Sequence, residues 1–253
     1  MAAREPGDRA EIRSVGRALD LLEILQRAAP GGIRVGDAAA HLDVDPATAS
    51  RLLSTLMAHG YASRMSGRRY TLGARSLRLA ASWVDRLIQV AAPAMARIAD
   101  RSGETVYLLQ LVGAEAVTLA RLAGNRRAMI DVEIGQSYPL WASAAGRALL
   151  GSMPRVERLA LLPSEPFPAL TPRTTTTWAK LDTALQDARR DGIYVEEGEI
   201  DPSLSCYATP LLHSHRDEKL AVAVSFESRR PESERRLIRQ ALRHEWRDVA
   251  WQI

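Results

Sequence analysis

Residues 33–72 read IRVGDAAAHLDVDPATASRLLSTLMAHGYASRMSGRRYTL, and their pattern decides the fold of the N-terminal third. Asp45 is a strong N-cap, and Pro46 suits the first helical position, where a missing N–H costs nothing. The spacing predicts a helix over 46–59 with Ala49, Leu52, Leu53 and Leu56 inward. Ala47, Thr48, Ser50, Arg51, Ser54 and Thr55 then face outward. A shorter helix near Asp37–Leu42 precedes it, and Val44 in the turn Asp43-Val44-Asp45 is expected as a buried plug. Gly60 closes the longer helix. After it, YASRMSGRRYTL alternates as two short strands around Met65-Ser66-Gly67, with Arg64, Arg68 and Arg69 at the tip. Two helices joined by a tight turn and followed by a basic hairpin predict a winged helix-turn-helix.

The charge pattern says what such a head could hold. From Pro46 to Val84 there is no Asp or Glu, while Arg51, Arg64, Arg68, Arg69, Arg75 and Arg78 are all cationic; the whole chain carries only +4. A surface of one sign suits a duplex, whose charge density is about one negative charge per 1.7 Å of axis. Small hydroxyl residues and one Arg at the start of a helix fit the major groove, and an arginine-tipped hairpin fits phosphates or the minor groove. On a lone helix the same residues would read as solvated positions; the turn before and the hairpin after favour the nucleic-acid reading. A winged helix can also bind RNA or protein.

Working outward, SVGRALDLLEILQR at 14–27 spaces Val15, Ala18, Leu19, Leu22 and Leu25 as an amphipathic helix capped by Ser14, ending at Pro30-Gly31-Gly32. Residues 74–91 carry Leu77, Ala80, Val84, Leu87 and Ala91 in a coiled-coil-like seam. Leu77, Ala80, Val84 and Leu87 are therefore expected to pair with a second copy, making a homodimer on an approximately palindromic operator. Ala92-Pro93 is expected to end this helix. The organisation is thus a head over 1–73, a linker helix over 74–91 and a body over 92–253.

The body alternates helix and strand signals. A helix at 93–102 is followed by two strands joined at Gly113-Ala114-Glu115, a strand at Ala128–Glu133 and a small-residue helix at Ser143–Gly151. A Pro- and Thr-rich loop over 163–177 then leads to a helix at 178–191, strands near 193–196, 206–212 and 219–226, and a last helix at 231–249. That last helix should bury Leu237, Ile238, Ala241, Leu242, Trp246 and Val249. Antiparallel strands with helices packed around them make an α+β domain.

The composition is 46% hydrophobic and 25% charged, ordinary for a globular protein. No apolar run approaches the roughly 18 residues of a membrane span, and the charged N-terminus is no secretory signal; a cytoplasmic location with no membrane partner is expected. Cys206 is the sole cysteine. It could be a nucleophile with His213 or His215 as base, or a redox sensor, but a buried inert thiol is the commoner case. His213, His215 and His244 lack a fourth ligand at telling spacing, so neither metal nor cofactor is expected.

In this order, SVGRALDLLEIL, DPATASRLLSTLMAHGY, RYTLGARSLRL, PLWASAAGRALLGSMP and GIYVEEGE…CYATPLL resemble the IclR family of bacterial transcription regulators over nearly the whole chain. The resemblance implies a winged-helix head, a linker helix and a GAF-like effector-binding domain. It further implies dimers, often paired into tetramers on DNA, and small organic acids or aromatic metabolites as effectors. Carried over, the pocket residues are Trp141, Ala144, Glu196, Ser205, Cys206 and Ser225. The chain departs from the family pattern at Ser203, where a Gly usually precedes the Cys, and at Gly198 within the acidic run. Glu196, Glu197 and Glu199 oppose an anionic ligand unless turned away or protonated.

Overall fold

The computed structural model describes residues 12–126, 132–211, 219–246 and Val249, without the side chains of residues 77–86. The chain divides into two units that meet between Trp83 and Val84.

In the first unit, α1 (Arg13–Arg27), α2 (Val35–His41) and α3 (Pro46–Ala58) precede strands β1 (Ala62–Met65) and β2 (Arg69–Leu72). Leu21, Leu25, Ile33, Ala38, Leu53, Leu56 and Ala62 form its core. Asp45 caps α3 as expected, accepting from the Thr48 N–H at 2.9 Å. Ser14 does not cap α1; the helix begins one residue earlier, after Ile12, with no side-chain cap. The buried seam of α1 is Leu21 and Leu25, whereas Val15 and Leu19 are exposed. The helix carries two apolar stripes and the head covers only one. The hairpin pairs Ala62 with Leu72 through Met65 with Arg69. Its turn needs left-handed backbone at Gly67 (φ 72°) and Arg68 (φ 58°). Ile33 adds an antiparallel bridge to β2, exchanging backbone hydrogen bonds with Tyr70 at 2.9 and 2.8 Å.

The helix expected to stop at Ala92-Pro93 does not stop there: α4 runs from Arg75 to Ser102 with Pro93 inside it. An interior proline costs about 3 kcal/mol. Here the face formed by Ala91, Ala94, Met95, Ile98 and Ala99 is buried on both sides of the proline, and that packing outweighs the lost N–H. Leu87, assigned to the dimer seam, is only 5% exposed in the single chain, so it is already covered; the side chains of Leu77, Ala80 and Val84 lie outside the described residues.

The second unit is built on a six-stranded antiparallel sheet of order β5-β4-β3-β8-β7-β6. Its strands are β3 (Thr105–Val112), β4 (Glu115–Leu122), β5 (Ser137–Pro139), β6 (Tyr194–Glu197), β7 (Leu204–Pro210) and β8 (Leu220–Glu227). Helices α5 (Ala144–Gly151), α6 (Arg155–Leu161), α7 (Trp178–Asp191) and α8 (Glu232–Trp246) complete it, giving the expected α+β, GAF-like arrangement. One sheet face carries Tyr107, Leu109, Ala208 and Ala223 against α5 and α7. The other carries Tyr207 and Phe226, edge to face at 4.7 Å, with the Arg239 guanidinium 4.5 Å above the Tyr207 ring. The sequence pattern did not reveal β5 or α6. The expected strand at Ala128–Glu133 falls mostly outside the described residues, and Val132 and Glu133 are not in a strand. On α8 Leu237 is exposed rather than buried, because its neighbour Ile238 takes the inward position.

Helix α5 fixes the site described below. Every residue from Ala144 to Leu150 is buried. Ser143 caps it, accepting from the Gly146 N–H at 3.0 Å and donating to the Pro139 carbonyl at 2.9 Å. Gly146 is required by the approach to the preceding loop, since a Cβ there would lie 2.5 Å from the Leu140 Cα. Gly146→Ala gains about 1 kcal/mol of helix propensity but overpacks backbone, at a cost of roughly 1–3 kcal/mol. The variant should therefore unfold at lower urea than the wild type, measured by circular dichroism.

Candidate functional site

On the head, a short polar relay orients the exposed side of α3. The Thr48 hydroxyl donates to Asp45 Oδ2 at 2.7 Å and accepts from Arg51 Nη2 at 3.1 Å, while the Thr55 hydroxyl donates to the Arg51 carbonyl at 2.9 Å. Ala47, Arg51, Ser54 and Thr55 are exposed, and Thr48 and Ser50 half-buried. Arg64 and Arg68 are exposed on the hairpin. Arg69 differs from the expectation: its Nη1 donates to the Gly32 carbonyl at 2.8 Å, so this guanidinium braces the hairpin against the α1–α2 loop. Arg75 similarly reaches the His59 carbonyl at 3.4 Å. Among the described residues no carboxylate forms an ion pair with Arg51, Arg64, Arg68, Arg69 or Arg75.

In the second unit a cavity of about 70 Å³ lies between the sheet and the start of α5. One water needs roughly 10–15 Å³, so the space suits a small organic molecule. Strand register explains which side chains reach it. Glu196 pairs with Cys206 and Cys206 with Ser225, so the three stand side by side on one face. Next to them Tyr107 pairs with Ala223, Leu109 with Thr118, and Tyr138 with Ala116. The walls are Tyr107, Leu109, Thr118, Val132, Tyr138, Ile200, Asp201, Leu204 and Ala223, together with Ser143, Ala144 and Ala145 at the helix start and Glu196, Cys206 and Ser225.

Four of the six carried-over pocket residues are therefore brought together: Ala144, Glu196, Cys206 and Ser225. Trp141 and Ser205 are not. The Trp141 indole donates to the Pro168 carbonyl at 3.1 Å and packs 5.8 Å from the Phe167 ring. Ser205 points to the opposite sheet face, as alternation beside Cys206 demands, with its hydroxyl 3.1 Å from that of Ser228. Sequence reasoning missed Tyr107, Thr118 and Tyr138. The strands of Tyr107 and Thr118 were legible and that of Tyr138 was not, and in either case the sheet face that borders a cavity is not a one-strand property.

The three glutamates separate cleanly. Glu197 is exposed and pairs with Arg235 at 2.8 Å. Glu199 turns away to Arg147 at 2.6 Å in a buried pair. Arg147 also donates to the carbonyls of Trp141 and Val195, at 3.0 and 2.7 Å, and to the Thr175 hydroxyl at 3.0 Å. Such pairs persist only when their remaining polar sites are also satisfied, and removing one partner costs about 3–5 kcal/mol. Glu196 alone stays in the cavity wall, 3% exposed. Burial pushes its carboxyl up to about 7, although the backbone N–H groups of Glu199 and Ile200 both bond its Oε1. Asp201 stays ionised, its carboxyl lowered by the Ser203 hydroxyl and N–H at 2.6 and 2.8 Å.

Burial, and then the neighbouring Glu196, push the Cys206 thiol up, and burial does the same to the Tyr138 phenol. A suppressed thiolate is a poor nucleophile and a poor redox sensor. His213 and His215, the bases required by an enzyme reading, lie outside the described residues. Among the described residues no cluster of metal-ligating side chains occurs.

Residues 81–253 match the model of the IclR C-terminal domain of bacterial transcriptional regulators, and residues 14–65 match the IclR helix-turn-helix domain. The chain belongs to the IclR family. The HTH-type transcriptional regulator Rv1719 of Mycobacterium tuberculosis is 30% identical across 91% of this chain and 88% of its own. The structure of an IclR transcriptional regulator from Alicyclobacillus acidocaldarius superposes with a TM-score of 0.82 at 25% identity, covering 95% of this chain and 98% of that one. An IclR homologue from Microbacterium hydrocarbonoxydans, solved with 4-hydroxybenzoate, has the same fold, with a TM-score of 0.77 at 24% identity over 93% and 98% of the two chains. This protein is thus an IclR-type transcription regulator, with a DNA-binding helix-turn-helix head and an effector-binding C-terminal domain.

With its thiolate suppressed, Cys206 should resist iodoacetamide at pH 7.5 in the native protein and alkylate readily in guanidinium chloride, followed by mass spectrometry.

Proposed function

We propose that this regulator binds an approximately palindromic operator as a homodimer in the cytoplasm, reading bases with α3 and phosphates with the hairpin, and that a small organic or aromatic acid in the α5 cavity sets operator affinity. It acts by binding and carries out no catalysis. The observation that carries the reading is the pairing of an arginine-bearing α3 and hairpin, free of Asp and Glu from Pro46 onward, with a cavity in a separate unit whose polar groups converge at a helix start. In the head, Ala47, Thr48, Ser50, Arg51, Ser54 and Thr55 face the groove. Arg64 and Arg68 take phosphates, while Arg69 supports them by bracing the hairpin. Helix α4 spans the boundary between the units and is the covalent route for coupling, which in such systems is typically about 1–3 kcal/mol.

Two features favour an acid as effector. The first-turn N–H groups of Ala144 and Ala145 have no helical partner and carry the positive end of the helix dipole. Glu196 becomes compatible with an anion once it is protonated and can donate. The walls, with Tyr107, Tyr138, Leu109 and Leu204, suit a ring or short apolar body. Ser225 and Cys206 border the same acid-bearing side.

Two measurements test this. Arg51→Ala and Arg68→Ala should each weaken operator binding and lower the slope of log affinity against log salt by about one, read by fluorescence anisotropy from 50 to 300 mM salt; unchanged slopes in both would contradict the docking. Glu196 gives a pH signature. Its folded-state value, about 7 against 4.5 for a free carboxyl, means that its contribution to stability is complete below 4.5 and is lost as pH rises to about 7. Binding of an anionic ligand is coupled to uptake of a proton by Glu196, the ligand staying ionised. Affinity for 4-hydroxybenzoate, titrated calorimetrically, should therefore fall by up to about tenfold per pH unit above 7, and Glu196→Gln should flatten the dependence.

A further inference from the structure

Thr118 is fully buried in β4, and its hydroxyl has no hydrogen-bond partner among the described residues. It stands in the cavity wall. Its backbone is fully engaged, the N–H donating to the Gln136 carbonyl at 2.9 Å and the carbonyl accepting from the Gly135 N–H at 2.8 Å, so the strand is held with the side chain committed. The register explains the aim. Between Leu108 and Leu109 the β3–β4 pairing slips, from Leu108 opposite Ala120 to Leu109 opposite Thr118. The slip makes Leu119 an extra residue and brings Thr118 onto the face of Leu109, beside the cavity. Bulges of this kind re-aim side chains next to functional sites.

A valine would fill the same volume without the hydroxyl. A buried, unsatisfied hydroxyl is destabilising, so packing alone would favour valine. A threonine at this point is explained by a partner that arrives from outside. We propose that Thr118 is a specificity-determining residue of the effector site, its hydroxyl bonding a polar atom of the ligand and rejecting ligands that present only an apolar edge there. This rests on the effector reading of the cavity above and adds to it the residue that selects.

The test compares wild type with Thr118→Val, and with Thr118→Ser as the variant that keeps the hydroxyl. Without ligand, Thr118→Val should match or exceed the wild-type Tm, by about 2–4 °C at most. In titrations with benzoate, 3-hydroxybenzoate and pyruvate, Thr118→Val should lose roughly tenfold or more in affinity for whichever of these the wild type binds, and Thr118→Ser should retain most of it. A clear fall in the Tm of Thr118→Val would show that the protein already satisfies the hydroxyl, and would overturn the proposal. Unchanged affinity in that variant would overturn it too, leaving the effector reading intact. If the wild type responds to none of the three acids while Thr118→Val still gains in Tm, the effector reading fails and the proposal falls with it.

Discussion

The buried pair of Arg147 and Glu199 is the joint on which the effector domain is assembled. One guanidinium ties α5 to the loop before it through the Trp141 carbonyl, to β6 through Val195, and to the 163–177 segment through Thr175. Glu199 returns the favour by accepting from the Thr175 N–H at 2.7 Å, while its own carbonyl accepts the Thr174 hydroxyl at 2.6 Å. With Glu199 fixed in this way, the N–H groups of Glu199 and Ile200 are aimed at Glu196. A chain of satisfied groups thus ends on a single carboxyl in the cavity wall. The local dielectric is low and the partners are fixed, so a small rearrangement at one end has a defined consequence at the other.

The head is governed by a different constraint, the absence of Asp and Glu from α3 through the hairpin. Nothing in its fold requires Arg51, Arg64 and Arg68 to be cationic, since none of them supports the core of Leu21, Leu25, Leu53 and Leu56. Arg69 shows the contrast. Its guanidinium is committed to the Gly32 carbonyl, where the chain turns with φ 66° and approaches Tyr70 closely. One arginine of the hairpin is therefore part of the scaffold, and its neighbours Arg64 and Arg68 are displayed by it.

Much of this was legible in the sequence because it is local. The Asp45-Pro46 start of α3, the hairpin about Gly67, the strands on either side of Gly113 and the Gly192 end of α7 all follow from capping, alternation or left-handed backbone. What was not legible depends on distant packing. Pro93 reads as a helix end unless the apolar face beyond it is known to be buried, and Leu87 reads as an intermolecular seam until its own chain is seen to cover it. Trp141 and Ser205 were carried over by likeness, and one strand position decided between Ser205 and Cys206. Thr118 is the furthest from sequence reach, since its orientation depends on a register slip that neither strand announces. The resemblance found the acidic run; only the structure could divide it into an exposed, a paired and a cavity-facing glutamate.

The two faces of the sheet differ in a way that bears on function. On the α8 side, Tyr207 and Phe226 pack edge to face, and Arg239 lies over a ring while bonding the same tyrosine's hydroxyl at 3.0 Å. On the α5 side, burial raises a carboxyl to about 7, a threonine hydroxyl has no partner among the described residues, and apolar walls border a cavity. Each of these lowers stability, and a sequence shaped for folding alone would remove them by filling the cavity and replacing the polar groups. Their meeting beside the start of α5 is what favours this cavity as the effector site proposed for the domain.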